Sequence, residues 1–170
     1  MLEKKLNNII YLILLIPIAI VPGPLIPDLV ITIISLYFII FHFKEIKIFF
    51  NKYSFFKILI IFCFINIFVS FFAENIYLSL KNSITYLRFP LFIVAVSFLL
   101  KDRYKIINYF YYVLFFTILI LSLDAFLQFF SGKNVLGYIS NSKNRISGLF
   151  NDEFILGSFL ARMTPILIAL

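Results

Sequence analysis

Charge is what this sequence has least of. Only 14% of its 170 residues are Asp, Glu, Lys or Arg, against about 25% in an average soluble domain. The remainder is 63% hydrophobic and 20% aromatic, with a mean hydropathy of +1.06. A soluble fold of this length has no interior large enough to hide so much apolar side chain, which excludes a water-soluble globular domain. Disorder is excluded by the same figures, because disordered chains are poor in hydrophobes. A single cysteine, Cys63, rules out a disulfide scaffold; it sits inside an apolar run and reads as a packing residue. The single histidine, His42, has no second ligand near it in sequence, so no metal site is expected, and it reads as a membrane-interface residue. Walker loops, nucleophile elbows, zinc-ligand spacings and internal repeats are absent as well. What remains is an integral membrane protein: an all-α polytopic bundle of about six spans, at roughly 20 residues each.

The net charge of +7 does not point to nucleic acid. The basic residues form no stripe and do not interleave with aromatics. They gather in short clusters between apolar runs, the pattern that sets membrane orientation. The runs place spans at about 9–21, 29–43, 55–72, 84–100, 106–130 and 154–170. The first two are separated by a tight turn at PGPLIPD, where Pro22, Gly23, Pro24 and Pro27 interrupt an apolar stretch too long for one crossing. With the N-terminus inside, the cytoplasmic side holds nine Lys and Arg and the outside five; a single bent span over 9–43 would leave seven on each side. The positive-inside rule favours the hairpin. Residues 1–21 lack a small-x-small cleavage site and read as a retained span. The segments 44–57 and 101–105 read as basic cytoplasmic loops, and 131–153 as the one long outer loop. The sixth run stops at Leu170 without a polar tail, so a 170-residue N-terminal half of a longer protein, inactive alone, is expected.

A few polar residues stand in or beside these spans. Arg88, in SITYLRFPLF, costs about 2.5–3.5 kcal/mol at mid-membrane and less near the interface, so a partner is expected. It reads either as an arginine snorkelling to headgroups or as a fork for an anionic lipid head such as a pyrophosphate. Asp124 and Gln128, in LSLDAFLQFF, are four apart and share a helical face. They read as helix-packing contacts, with Arg88 or Arg145 as partners, or as groups that orient an arginine or a substrate hydroxyl. Arg145, in NRISGLFNDE, precedes a tight turn permitted by Gly148. Asn151 or Asp152 can cap the following helix, with Asp152 and Glu153 favouring its N-terminal dipole. Free amides at that helix start, together with Arg145, can hold a phosphate. Arg162, in LARMTP, reads equally as an ion-pair partner of Asp124 or a substrate contact. The catalytic base is not identified.

The run DAFLQFFSGKNVLGY, followed by NRISGLFNDEFILGSFLARMTP, resembles the O-antigen ligase and polymerase family of bacterial membrane proteins. SLKNSITYLRFPLFIVAVSFLL is similar to that family's fourth-span region, and the PGPLIPD hairpin fits. The resemblance covers most of the chain, with 78–165 carrying most weight. It implies transfer of a glycan from an undecaprenyl-diphosphate carrier to lipid A–core or to another repeat unit, at the periplasmic face of the bacterial inner membrane. It also implies an inverting mechanism without metal, nucleotide or other cofactor. Arg145, Arg88, Asp124 and Gln128 match the family pattern and become the candidate pyrophosphate- or glycan-binding residues. The family has about twice as many spans, and a periplasmic histidine that this chain lacks. Two other readings stay open. A transport component would show polar residues within spans, as Asp124 and Arg162 are. A non-catalytic membrane subunit would need no further spans.

Overall fold

A computed structural model describes residues 2–101, 104–139, 145–150 and 153–170, with side chains described from residue 8 onward and not for Tyr104. The described residues are helical apart from turns, one 3-10 turn and an isolated β-bridge. The helices are α1 (Leu2–Ala19), α2 (Leu25–Phe41), α3 (Phe43–Lys52), α4 (Ser54–Ser70), α5 (Ile76–Tyr86), α6 (Arg88–Leu100), α7 (Tyr104–Ser131) and α8 (Leu156–Ala169). Two stretches are long and apolar enough to cross a membrane: Ile76–Leu100, which joins α5 and α6, and Lys105–Ser131. A third arises if α2 and α3, bent by 96° at their junction, are taken together. The remaining apolar helices, α1, α4 and α8, are shorter.

Proline and glycine set several boundaries. Pro22 and Pro24 cannot continue a helix, and Gly23 between them takes φ +135, a conformation strained for residues with a Cβ. Pro27 is no barrier to α2: it falls in the first turn, where its missing N–H would have had no helical acceptor. The helix therefore begins at Leu25 and not near residue 29. Likewise, the helix expected from residue 84 begins at Ile76, where the Asn75 side chain accepts a hydrogen bond from the amide of Leu78 (3.1 Å). Residues 44–57, expected as a loop, are helical over most of their length. In α3 the positions Phe43, Ile46 and Phe50 share one face, and Lys44, Lys47 and Asn51 another. The lysines mark an amphipathic helix, not an interruption.

The chain forms two compact units, Met1–Pro27 with Arg103–Leu170, and Asp28–Asp102. In the first, α7 packs against α1, α8 and the 3-10 turn Gly148–Phe150. Its core joins Leu121, Phe150, Leu156 and Phe159, surrounded by Ile20, Val21 and Met163. In the second, α4 packs on α5, and α3, α4 and α5 all touch α6. Its buried side chains include Ile34, Phe38, Phe56, Val94 and Leu99. His42, at the α2–α3 corner, stacks on Phe38 (4.9 Å between rings) and lies against Phe98 (5.1 Å). Apolar side chains also face outward in quantity. On α4 alone Phe55, Ile58, Phe62, Phe64, Ile65 and Phe68 are exposed, while Phe56, Cys63 and Ser70 are buried. Helices apolar on every side suit a lipid surround.

Between two such helices a polar contact is valuable. Ser70 Oγ donates to Asn66 O (2.7 Å) and is hydrogen-bonded to Ser83 Oγ of α5. Replacing Ser83 by Ala is expected to lower stability by about 1 kcal/mol. Thermal unfolding in detergent should show a reduced Tm for Ser83→Ala and none for Lys81→Ala, whose side chain is exposed.

Candidate functional site

Arg88 and Asp124 belong to different units, and each has its own surroundings. Arg88 opens α6. Its Nη2 pairs with Asp28 Oδ2 at 2.8 Å, and Nη1 donates to Thr32 Oγ1 at 3.2 Å. The guanidinium also lies 5.2 Å from the centre of the Phe89 ring. Thr32 in turn donates to the Asp28 carbonyl, and Ser35 Oγ donates to the carbonyl of Arg88 (2.8 Å). Asp28 and Thr32 stand one turn apart on α2, so both reach the same guanidinium. The partner that this partly buried arginine requires is thus Asp28, a residue read from the sequence only as part of a turn.

The first unit gathers its polar side chains where α7 ends. Asp124 and Gln128 are both buried, one turn apart, and what they touch is the backbone beyond the helix. Asp124 Oδ1 accepts from the amide of Val135 (2.9 Å). Gln128 Oε1 accepts from the amide of Gly148 (2.8 Å), and Nε2 donates to Ser147 Oγ and to the Tyr138 carbonyl (both 3.4 Å). Asn134 completes the set: Nδ2 donates to Gly148 O (2.8 Å) and Oδ1 accepts from Tyr138 N (2.7 Å). Residues 133–139 form a tight hairpin, in which Asn134 O accepts from Gly137 N (2.9 Å) and Gly137 takes φ +84. Three buried side chains therefore fasten a turn and a second segment, 147–148, to one helix end. Sequence reasoning singled out Asp124 and Gln128 but missed Asn134 and Ser147. An Asn before a Gly-containing turn is too common to have flagged them.

Gly148 is required twice over. Its φ is +58, and a Cβ there would stand 3.3 Å from Leu156 Cδ2 and 3.4 Å from Asp124 Oδ2. That carboxylate oxygen is buried without a hydrogen-bond partner among the described residues. The ion pair considered between Asp124 and Arg162 does not form: Arg162 is exposed on α8, and Asp124 holds backbone. Arg145, three residues before Gly148, is exposed, with its guanidinium 5.4 Å from the centre of the Phe154 ring. Phe154 lies just ahead of α8. That helix begins at Leu156 behind Ile155, which supplies no side-chain cap. Glu153 therefore lies outside its first turn, and the caps expected at Asn151 and Asp152 fall outside the described residues, as does Lys143.

Two cavities in this unit adjoin. One, about 450 Å³, runs along α1 and α7 and is apolar, with Ile18, Tyr112, Phe116 and Leu121 among its walls. The other, about 670 Å³, is more polar and is bordered by the Pro22–Pro24 turn, Tyr138, Phe150 and Glu153. Val21, Pro22 and Leu149 line both. Among the described residues no cluster of His, Cys, Asp and Glu could hold a metal ion. No protein-family model, curated protein or solved structure matches the chain.

Replacing Gln128 by Leu removes partners from the amide of Gly148, the Ser147 hydroxyl and the Tyr138 carbonyl. A loss of about 1–3 kcal/mol is expected for a buried group left unsatisfied. Amide hydrogen exchange should accelerate at 147–148 in this variant and stay unchanged in α4.

Proposed function

We propose that the chain is a membrane glycan transferase of the O-antigen ligase type. It takes a glycan from an undecaprenyl-diphosphate carrier and passes it to lipid A–core or to another repeat unit, at the periplasmic face of the bacterial inner membrane. The observation that carries this reading is the junction of the two cavities. A polyprenyl carrier is a long apolar chain ending in a diphosphate and a sugar. An apolar groove that shares Val21, Pro22 and Leu149 with a more polar cavity offers a place for the chain and a place for the sugar.

Two further features support it. The segments that carry the family resemblance, DAFLQFF and NRISGLF, are hydrogen-bonded to each other through Gln128 and Gly148. In addition, Arg145 lies beside Phe154 at the approach to α8, whose first amides have no helical acceptor. In this reading Arg145 meets the diphosphate. When the acceptor hydroxyl attacks the anomeric carbon, its proton passes to a general base, the sugar–phosphate bond breaks and the electron pair of that bond leaves on the diphosphate. A guanidinium fork stabilises that charge. Gln128 and Asn134 are positioning residues that hold the backbone of Gly148, three residues from Arg145, and Asp124 holds the neighbouring turn at Val135. Arg88 is engaged by Asp28 and Thr32 within the other unit.

The same reading fixes the topology. α1, α2, α4, α5 with α6, α7 and α8 make six crossings, with the N-terminus in the cytoplasm. The 20–24 turn and the residues Leu136, Tyr138, Leu149 and Phe150 then share the periplasmic side, in keeping with the cavity that both line. α3 lies along the cytoplasmic surface.

The test is complementation of a deletion strain with the full gene product, reading glycan transfer by gel. Arg145→Ala is expected to cut transfer by about 10²–10³-fold at unchanged membrane level, with Arg145→Lys recovering only part. Full transfer by Arg145→Ala would remove Arg145 from the site; transfer unaffected by deletion of the gene would end the transferase reading.

A further inference from the structure

The second unit has a cavity of its own. About 430 Å³ in volume, it lies between α3 and the C-terminal half of α6. Its charged walls are Glu45, Lys52 and Lys101; Tyr53 and Ser97 add hydroxyls; Ile48, Phe49, Val94 and Phe98 make the apolar part. Glu45, Phe49 and Lys52 follow one another at four and three residues along α3, so they form one stripe on the helix. Phe49 is anchored from behind, edge-on to Phe56 at 5.2 Å between rings, and Phe56 is in the core. The stripe is thus held in place by packing.

α3 itself is built to lie at a lipid surface. It turns 96° from α2, buries none of its residues, and carries lysines on one face and Phe43, Ile46 and Phe50 on another. Such a helix rests at the headgroup boundary with its apolar face inward. A cavity on its flank therefore opens where phospholipid headgroups are, and its charges select among them. Lys52 and Lys101 suit a phosphate. Lys101 also follows the last turn of α6, where the helix end favours a cation. Glu45 would repel a purely anionic head. It is satisfied by a head that carries an ammonium with N–H donors beside the phosphate.

We propose that this cavity binds one phosphatidylethanolamine molecule, its phosphate between Lys52 and Lys101, its ammonium on Glu45, and the start of an acyl chain against Ile48, Phe49 and Phe98. Each group has a separate consequence. Removing the lysines removes the phosphate contact and so the lipid. Removing the Glu45 charge spares the phosphate contact but abolishes the distinction between a primary ammonium and a quaternary one, which has no N–H to donate.

Native mass spectrometry of the full chain in detergent tests this. The protein is incubated with equal amounts of dioleoyl phosphatidylethanolamine, phosphatidylglycerol and phosphatidylcholine, and separately with inorganic phosphate. One phosphatidylethanolamine should be retained, about tenfold over either other lipid, and inorganic phosphate should not displace it. Lys52→Gln with Lys101→Gln should lose the retained lipid. Glu45→Gln should keep lipid but take phosphatidylcholine as readily. Lys47→Gln, exposed and outside the cavity, should behave as the wild type, and circular dichroism should report unchanged helix in all variants. Equal retention of the three lipids, a preference for phosphatidylglycerol, displacement by phosphate alone, or selectivity that survives the Glu45 and lysine substitutions would each overturn the proposal.

Discussion

The side-chain amide of Gln128 is the fastening on which the connection between α7 and α8 depends. One residue near the end of an apolar helix reaches three backbone or hydroxyl groups, at Tyr138, Ser147 and Gly148. The physical pressure behind this is severe. Where water is scarce, an irregular segment must find a hydrogen-bond partner for each N–H and C=O it buries, or lose several kcal/mol at each. A helix satisfies itself; a loop must borrow. Here the loop borrows from α7, through Asp124 and Gln128, and from its own Asn134. The loan is also a constraint on shape. The loop approaches closely: at residue 148, where φ is +58, a Cβ would also press on the side chains of Leu156 and Asp124.

The consequence for the chemistry we propose is precision of placement. Arg145 is exposed and its side chain is long, yet the backbone three residues on is clamped. A charge that is to meet a departing diphosphate gains from such support, because a fork that is already placed loses less freedom when it binds. Polar groups are concentrated at this end of α7, and the adjoining groove along α1 and α7 is apolar. The division matches a substrate with an apolar tail and a charged head. In the other unit, Arg88 is engaged through one carboxylate and one hydroxyl from a single face of α2. Such an arginine ties α6 to α2.

Much of this was legible in the sequence, and the rest was hidden for identifiable reasons. Apolar runs forecast helices because a chain this poor in charge has no other way to satisfy its backbone in lipid. The spacing of Asp124 and Gln128 gave away a shared face. The objects they hold did not show, since Val135 and Gly148 are 11 and 20 residues away along irregular chain. Arg88 announced its need for a counter-charge, but Asp28 lies in α2 and nothing local links the two. The α3 helix was overlooked because lysines were counted as breaks between apolar runs, when Lys44, Lys47 and Asn51, three and four apart, follow the helical period. Helix starts at Leu25 and Ile76 came earlier than the apolar runs suggested, for a proline is welcome in a first turn and a polar Asn75 makes a good cap.

The central claim is that the clamped segment carrying Arg145 receives a diphosphate at the head of an apolar groove. Amide hydrogen exchange over 145–150 of the purified protein, with and without a polyprenyl diphosphate, addresses it most directly. The account predicts slower exchange there with the diphosphate, no change with the corresponding free prenol, and loss of the effect in Arg145→Ala. Identical exchange with the diphosphate and the prenol would contradict it.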